Sequence, residues 1–274
     1  MYVNSKVKII FWNVMNRKEN ISAVIDYGIM NDIDIIAIIE SPKTIDIKNE
    51  WPYRLIEHYD MNTKRGIELF IHKRVDNNEH YFRENCRSCI LRLEKVDVNL
   101  VIAHLNSDLY PNGSDTRLTD IGIIMDDVDK IEKRYSSKST LIIGDMNMNL
   151  FDDQMLSFNG FNARLFRYQM TMDVKKNHEI TRDLLYNPML SIYHDTERDD
   201  VARGTYYYDA QYIQWLCYDH ILMKKALMDR FDNNTLMVVS AMGSKQLVKK
   251  NRLVKSISDH LPVYFELKKM EDLV

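Results

Sequence analysis

Short apolar runs rich in Ile and Val recur along the chain and constrain its fold more than any other feature. Eight of them, each four to eight residues long, cover residues 7–14, 33–40, 67–72, 89–94, 98–105, 140–145, 220–223 and 262–267. Runs of this length and composition are typical of strands buried on one or both faces of a sheet. We therefore expect a chain built mainly on β-sheets.

Two stretches between these runs have the spacing of amphipathic helices. The first presents Ile21, Val24, Ile25 and Ile29 on one face, and the second presents Leu118, Ile121, Met125, Val128 and Ile131 after the capping candidates Ser114 and Asp115. Many strands with few helices predict two packed sheets flanked by helices. No repeat or linker interrupts the sequence, so a single domain over residues 1–274 is predicted, with unclear element boundaries in residues 150–215.

The composition excludes several classes of protein. Thirty-seven basic and forty acidic residues give a net charge of −3, so any polyanion site must be local. No segment approaches the roughly 20 apolar residues of a membrane span, and the short β-patterned N-terminal run does not resemble a signal peptide. Three cysteines are too few for a disulfide framework, and the CxxC of Cys86 and Cys89 is expected in a strand rather than in a zinc or redox site. We expect a soluble, cytoplasmic protein with no obligate protein partner.

Polar residues end several of the apolar runs, where a purely structural strand does not require them. These residues are Asn13, Glu40, His104, Asp145 and Asn147. Asn13, Glu40 and His104 are each in period-two phase with buried positions of their own run, so their side chains are expected to point inward. Asp219 precedes another run, and Asp259 and His260 precede the last one. Each alone is typical of a turn, a cap or a core histidine. Together they indicate a cation site, because burying several carboxylates is costly without one.

The motifs "FWNV", "IIES", "AHLNS", "GDMNMN", "YDHIL" and "SDHLPV" occur in the order and rough spacing of the endonuclease/exonuclease/phosphatase superfamily. The sequence resembles this family, which includes deoxyribonuclease I, over residues 7–267. The resemblance implies an α/β (α+β) fold, a four-layer α/β sandwich of two packed mixed sheets flanked by helices. It also implies a Mg²⁺-dependent phosphoester hydrolase. The chain shows no nucleophile elbow and no Gly-rich phosphate loop, which leaves hydrolysis by activated water.

The resemblance also implies a role for each motif residue. Glu40 would be the main ligand of Mg²⁺, or of Mn²⁺ in its place, with Asn13 and Asp259 holding the ion or its waters. Asp145 would orient or deprotonate the attacking water, and Asn147 would donate a hydrogen bond to the phosphate. His104 and His260 would face the scissile phosphate, and Asp219 would fix the tautomer of His260.

The substrate is less constrained by the sequence. Tyr110 either lies over the site or begins a turn, and Arg117 either contacts phosphate or opens a helix. Tyr206 and its aromatic neighbours either stack on bases or form an alternating strand. The basic cluster with Lys249, Lys250 and Arg252 is the best local signal for a polyanion, unless it is a solvated hairpin. We predict a nuclease acting on DNA. The alternatives are a phosphatase or phosphodiesterase of a small phosphorylated molecule or lipid headgroup, and a non-catalytic scaffold.

Overall fold

The computed structural model describes residues 6–42, 51–60, 65–75, 80–82, 88–107, 113–210 and 214–269. The chain divides into two compact units. The first unit comprises Met1–Asn78, Ile192–Leu216 and Arg230–Val274, and the second comprises Glu79–Ser191 and Cys217–Asp229. The single catalytic domain expected for residues 1–274 stays a prediction.

The described residues form three α-helices and a larger number of strands. The helices are α1 (Lys18–Met30), α2 (Gly113–Tyr135) and α3 (Asp153–Leu156). The strands up to the middle of the chain are β1 (Lys6–Asn13), β2 (Ile35–Ser41), β3 (Tyr53–Asp60), β4 (Arg65–His72), β5 (His80–Phe82), β6 (Ser88–Leu93), β7 (Val98–His104) and β8 (Thr140–Asp145). The later strands are β9 (Ala163–Arg164), β10 (Val174–Asn177), β11 (Ile180–Asp183), β12 (Leu185–Tyr186), β13 (Tyr206–Tyr208), β14 (Gln214–Leu216), β15 (Asp219–Met223), β16 (Met237–Val238), β17 (Ala241–Met242), β18 (Lys245–Gln246), β19 (Val248–Lys249), β20 (Arg252–Leu253) and β21 (Val263–Lys268).

Each unit holds one large mixed sheet. The sheet of the first unit has six strands in the order β16-β21-β1-β2-β4-β3, with β1 and β2 parallel. The sheet of the second unit has seven strands in the order β5-β6-β7-β8-β15-β12-β9, with β7 and β8 parallel and β15 antiparallel to β8. The predicted mixed α/β fold with two large mixed sheets is confirmed.

All eight apolar runs lie in strands of these two sheets, with boundaries within two residues of those predicted. The prediction works because inner strands buried on both faces need unbroken apolar sequence. Strand β3 was not predicted, because its residues "YRLIEHYD" mix charged and apolar side chains. This strand lies at the edge of its sheet, where polar residues are tolerated.

The two predicted helices each cover one sheet. Ile21, Val24 and Ile25 of α1 are buried in a cluster that includes Trp12 and Ile38 of the first sheet. In the second unit, Ile121, Ile124 and Val128 of α2 are buried against residues of β7, β8 and β15. Each helix thus buries the middle of the apolar stripe that its sequence spacing predicts, whereas Ile29 near the end of α1 and Leu118 near the start of α2 are exposed.

Three local details bear on the sequence predictions. Helix α2 begins at Gly113, so Ser114 and Asp115 lie inside its first turn and not at the predicted cap. Cys89 is buried in β6, and burial raises the pKa of its thiol, which favours the structural interpretation of the CxxC. Cys86 lies outside the described residues. In the part of the chain that the structure describes, no helix is long and apolar enough to cross a membrane.

Gly144 tests how tightly β7 and β8 approach each other. A Cβ at this position would lie 1.8 Å from the carbonyl oxygen of Ala103, so the backbone would have to move. We expect Gly144→Ala to lower the free energy of unfolding by more than about 3 kcal/mol, or to prevent folding. A Cβ on Gly122 in α2 would have no atom within 4 Å, so Gly122→Ala should instead stabilise by up to about 1 kcal/mol. Denaturant unfolding of both variants measures the contrast, and equal effects would contradict it.

Candidate active site

Three strands of the second sheet bring three predicted site residues to one edge. In the parallel pairing of β7 and β8, His104 lies opposite Asp145. In the antiparallel pairing of β8 and β15, Asp219 also lies opposite Asp145. The carboxyl ends of two strands and the amino end of the third therefore meet, with His104 and Asp219 on either side of Asp145.

The side chains of this set are close together and mostly buried. The nearest carboxylate oxygens of Asp145 and Asp219 lie within 4.8 Å of each other, and these residues are 2% and 0% exposed. His104 Nε2 lies 4.0 Å from Asp145 Oδ2. Two carboxylates this close and this deep repel each other, so the arrangement favours a nearby cation. A protonated histidine or a metal ion meets that requirement.

Asp145 and Asn147 form a local turn that explains their spacing. The backbone N–H of Asn147 donates to Asp145 Oδ1 at 2.9 Å, which is an Asx turn. Met146 and Met148 are buried in the apolar cluster of the second unit, so the polar and apolar side chains of "GDMNMN" alternate between two directions. Asn147 has a backbone φ of 49° and donates through Nδ2 to the carbonyl of Leu105 at 2.9 Å. The turn therefore fixes both polar side chains.

Two buried side chains, the guanidinium of Arg117 and the imidazole of His220, contact the backbone carbonyls of this turn. Arg117 is 3% exposed and donates to the carbonyl of Asn147 at 3.0 Å and to Gln154 Oε1 at 2.7 Å. His220 Nε2 lies 2.9 Å from the carbonyl oxygen of Met148, and its Nδ1 lies 3.0 Å from Asn187 Nδ2. These bonds connect Arg117 to the turn and to Gln154, and the phosphate contact considered from the sequence stays a prediction. His220 was missed, because only the fold shows that its ring reaches the turn.

A second set of predicted residues lies in the first unit. Asn13 ends β1, and its Oδ1 accepts a hydrogen bond from the backbone N–H of Met15 at 3.0 Å. The residues on either side of Asp259 are tied to the same strand. Ser258 Oγ donates to the carbonyl of Asn13 at 3.0 Å, and Trp12 Nε1 donates to the carbonyl of His260 at 2.9 Å. These two bonds hold the "SDHLPV" loop at the end of β1.

Glu40 occupies an irregular position at the end of β2. The pairing of β2 with β4 shifts register between Ile39 and Ser41, which makes Glu40 the extra residue of a bulge. Its φ of 52° is unusual for a residue with a side chain. The bulge therefore interrupts the strand alternation from which the inward orientation of Glu40 is predicted. On the neighbouring strand β1, Asn13 lies opposite Ile39. Strained backbone of this kind is concentrated at functional sites.

The remaining predicted residues fall into three groups. Tyr206 is half-buried with its ring centroid 5.0 Å from that of His260, while Tyr207 and Trp215 are buried in the core of the first unit. Residues 206–208 alternate in burial as the strand interpretation expects, Tyr212 lies outside the described residues, and the role of Tyr206 stays a prediction. Lys249, Lys250 and Arg252 are exposed on the β19–β20 hairpin. Tyr110 lies outside the described residues.

Solved structures similar to this chain share its fold almost from end to end. TDP2 from Caenorhabditis elegans has 16% identity and a TM-score of 0.60, over 96% of this chain and 74% of that one. The 3'-5' exonuclease NExo from Neisseria meningitidis has 13% identity and a TM-score of 0.60, over 96% and 100%. The catalytic domain of Xenopus laevis APE2 has 16% identity and a TM-score of 0.59, over 96% and 92%. No protein-family model and no curated protein sequence matches the chain.

These likenesses define the class of fold. The similar structures belong to the endonuclease/exonuclease/phosphatase superfamily, and the chain has the fold of that superfamily. The fold that the resemblance of the six motifs implies is thereby confirmed by an independent comparison of backbones. The roles of the individual residues stay predictions.

His220 makes the candidate site sensitive to acid. Burial lowers the pKa of His220, because the charged imidazolium is disfavoured in the apolar cluster. The unfolded chain therefore takes up this proton first, so the contribution of His220 to stability is complete above about pH 6.5 and is lost as the pH falls. We expect the free energy of unfolding of the wild type to fall up to about 1.4 kcal/mol per pH unit more steeply than that of His220→Gln.

The measurement is denaturant unfolding at a series of pH values between about 7 and 5. Gln retains an amide donor for the carbonyl of Met148, so the variant keeps the contact and loses only the titration. His178 is exposed, and His178→Gln serves as the matched control that should follow the wild type. Parallel curves for the wild type and His220→Gln would show that His220 does not titrate in this way.

Proposed function

We propose that the chain is a Mg²⁺-dependent phosphodiester hydrolase, a nuclease that acts on DNA by attack of water on phosphorus. The observation that carries the proposal is the strand register that places His104, Asp145 and Asp219 side by side. A carboxylate pair with an adjacent histidine suits a reaction in which water loses a proton and phosphate gains charge. The superfamily fold adds support, since it houses such hydrolases.

Within the second unit the proposal gives each group one task. Asp145 orients the attacking water and accepts its proton through the oxygen that faces His104. Asn147 uses one of its two amide hydrogens on the carbonyl of Leu105, and the other stabilises the charge that develops on phosphate. Arg117 and His220 keep the turn rigid, so the two groups are in place before the substrate binds. In the first unit, His260 is the second histidine assigned to the phosphate.

The residues assigned to the metal fit magnesium. Asn13, Glu40 and Asp259 offer only oxygen donors, which a hard cation prefers, and few enough that the ion keeps several waters. Asn13 ends β1 and Glu40 forms the bulge near the end of β2, while the bonds of Ser258 and His260 hold the loop with Asp259 at the end of β1. When bound, the ion would polarise a phosphate oxygen and neutralise charge on the leaving group. Asp219 then keeps its proposed role of orienting His260.

The metal assignment is tested by replacing the main ligand. Glu40→Gln keeps the size of the side chain and removes its charge, so Mg²⁺ affinity should fall at least about tenfold by calorimetric titration. Phosphodiester cleavage should fall with it, and a chelator should silence the wild type until Mg²⁺ or Mn²⁺ is added. Glu57→Gln, at an exposed position of β3, is the matched control. Unchanged Mg²⁺ binding in Glu40→Gln, or full cleavage in excess chelator, would refute the assignment.

Local charge supports DNA as the substrate. Lys249, Lys250 and Arg252 are exposed, and only charge within about 10 Å of a bound phosphate is felt strongly at physiological salt. One solved structure with this fold is described as a Neisseria 3' phosphatase bound to a product DNA hairpin. The net charge of −3 favours the alternative, a small phosphoester. We also propose a cytoplasmic location, because three cysteines in 274 residues are too few for a disulfide framework, and such scarcity is usual in reducing compartments.

A substrate panel separates the two functions. The panel contains single- and double-stranded DNA, RNA, inositol phosphates and sphingomyelin with Mg²⁺, each tested against Asp145→Asn. We expect DNA cleavage that falls by several orders of magnitude in Asp145→Asn, because the proton acceptor is lost while size is kept. Lys249, Lys250 and Arg252 changed together to Ala should raise the KM for DNA about tenfold and weaken its salt dependence.

The matched control for that triple variant changes three exposed basic residues of the second unit to Ala, namely Lys95, Lys130 and Arg134. It should cleave DNA like the wild type. Turnover confined to a small phosphoester, and indifferent to Lys249, Lys250 and Arg252, would replace the nuclease with the phosphatase. Turnover of nothing in the panel would favour the scaffold.

A further inference from the structure

The segment from Phe166 to Arg182 is the most exposed apolar and basic part of the second unit. Of the ten large apolar side chains exposed among the described residues, five lie here: Phe166, Tyr168, Met172, Val174 and Ile180. Tyr168 is 76% exposed and stacks on Phe166 with a centroid distance of 5.7 Å. The segment contains four basic and two acidic residues, whereas the whole chain is net acidic. Folding alone does not account for exposed stacked aromatic rings beside cations.

The β10–β11 hairpin within this segment presents two like charges side by side. Lys175 lies directly opposite Arg182 in the antiparallel register, and Asn177 lies opposite Ile180. Residues opposite each other share a face, so these four side chains form one exposed face of the hairpin. Neither Lys175 nor Arg182 forms an ion pair with any residue that the structure describes. Like charges opposite each other destabilise a hairpin, so an anion bound beside this pair would stabilise it.

The other face of the hairpin has a different environment. Val174, Thr181 and Asp183 line a cavity of about 450 Å³ beside the end of α2. Asp183 accepts from the buried Lys224 Nζ at 2.7 Å, and the backbone N–H of Lys224 donates to the carbonyl of Thr140 at 3.0 Å. These bonds fix the base of the hairpin at the start of β8. The contacts of the opposite face therefore hold the hairpin, and with it the cationic face, in one position.

The hairpin lies at the far end of β8 from the candidate catalytic residues. Thr140 begins β8 and Asp145 ends it, so at about 3.3 Å per residue the two ends are roughly 17 Å apart. The aromatic pair follows β9, the last strand of the sheet beyond β15 and β12. Arg167 donates to the carbonyl of Met228, and Lys225 donates to the carbonyl of Thr171. These two bonds hold the segment with the aromatic pair at the turn after β15. Through these pairings the aromatic pair and the hairpin both lie near the end of β8 that begins at Thr140.

We propose that this segment is a second contact surface for a nucleic acid whose scissile phosphate lies at Asp145. The inference rests on the proposed function. Lys175 and Arg182 would contact phosphates, and Phe166 and Tyr168 would stack on bases or sugars. A strand that rises about 3.4 Å per nucleotide needs about five nucleotides to cover the distance. The surface is therefore used by long substrates and not by short ones.

The test varies substrate length and hairpin charge together. Lys175→Glu with Arg182→Glu is compared with Lys95→Glu and Arg134→Glu, which make the same change of charge at exposed positions elsewhere in the unit. Binding of labelled DNA of about 4 and about 20 nucleotides is measured by fluorescence anisotropy in the Asp145→Asn background. The hairpin variant should bind the long DNA about tenfold more weakly with a shallower salt dependence, and the short DNA unchanged. The double variant Phe166→Ala with Tyr168→Ala should weaken binding of the long DNA and leave binding of the short DNA unchanged.

The outcomes separate this inference from the proposed function. Asp145-dependent cleavage of DNA tests the function, whereas the length-dependent effect on binding tests the surface. Equal binding of long DNA by the hairpin variant and the charge control would overturn the surface even if DNA is cleaved. Binding to anionic vesicles that depends on Lys175 and Arg182, with no such dependence for DNA, would also overturn it. Unchanged thermal unfolding of the variants shows that the fold is intact.

Discussion

The hydrogen-bonded register of β7, β8 and β15 is the constraint on which the candidate site of the second unit depends. It places His104 and Asp219 on either side of Asp145. If one strand slipped by a single residue, its side chains would change faces and the three groups would no longer be neighbours. These strands are buried along nearly their whole length, and close packing of their side chains opposes such a slip. The same burial makes two close carboxylates costly, so the stability of the sheet sustains an arrangement that would be unfavourable on its own.

The turn after β8 shows how the fold immobilises polar groups next to that constraint. An Asx turn, a donor from Arg117 and a contact with His220 each hold a different backbone group of residues 147 and 148. Buried polar groups must be satisfied, so each bond is also a reason for the loop to keep one conformation. Under the proposed function, rigidity of this kind would let Asp145 and Asn147 act without a conformational step. The bulge at Glu40 is the corresponding irregularity of the first unit, where a strained residue ends a strand.

The likeness to structures with only 13–16% identity has a physical basis. A sheet requires apolar side chains of suitable size at inward positions, and many sequences meet that requirement. The polar residues at strand ends are not needed for packing. The overall likeness of backbones therefore shows the fold, whereas the six motifs indicate the chemistry, and the second contact surface we propose lies between the motifs "GDMNMN" and "YDHIL".

The sequence by itself determined the eight apolar strands and the two long helices, because apolar periodicity reports burial directly. It also determined which polar residues end the strands, and by resemblance the fold. Only the tertiary structure decided the bulge at Glu40, the hydrogen bonds of Arg117, the contribution of His220 and the exposed Lys175–Arg182 pair. Each depends on contacts between residues distant in sequence or on a backbone irregularity, and neither leaves a periodic signal. The alternation that locates a strand cannot show where that strand breaks its own pattern.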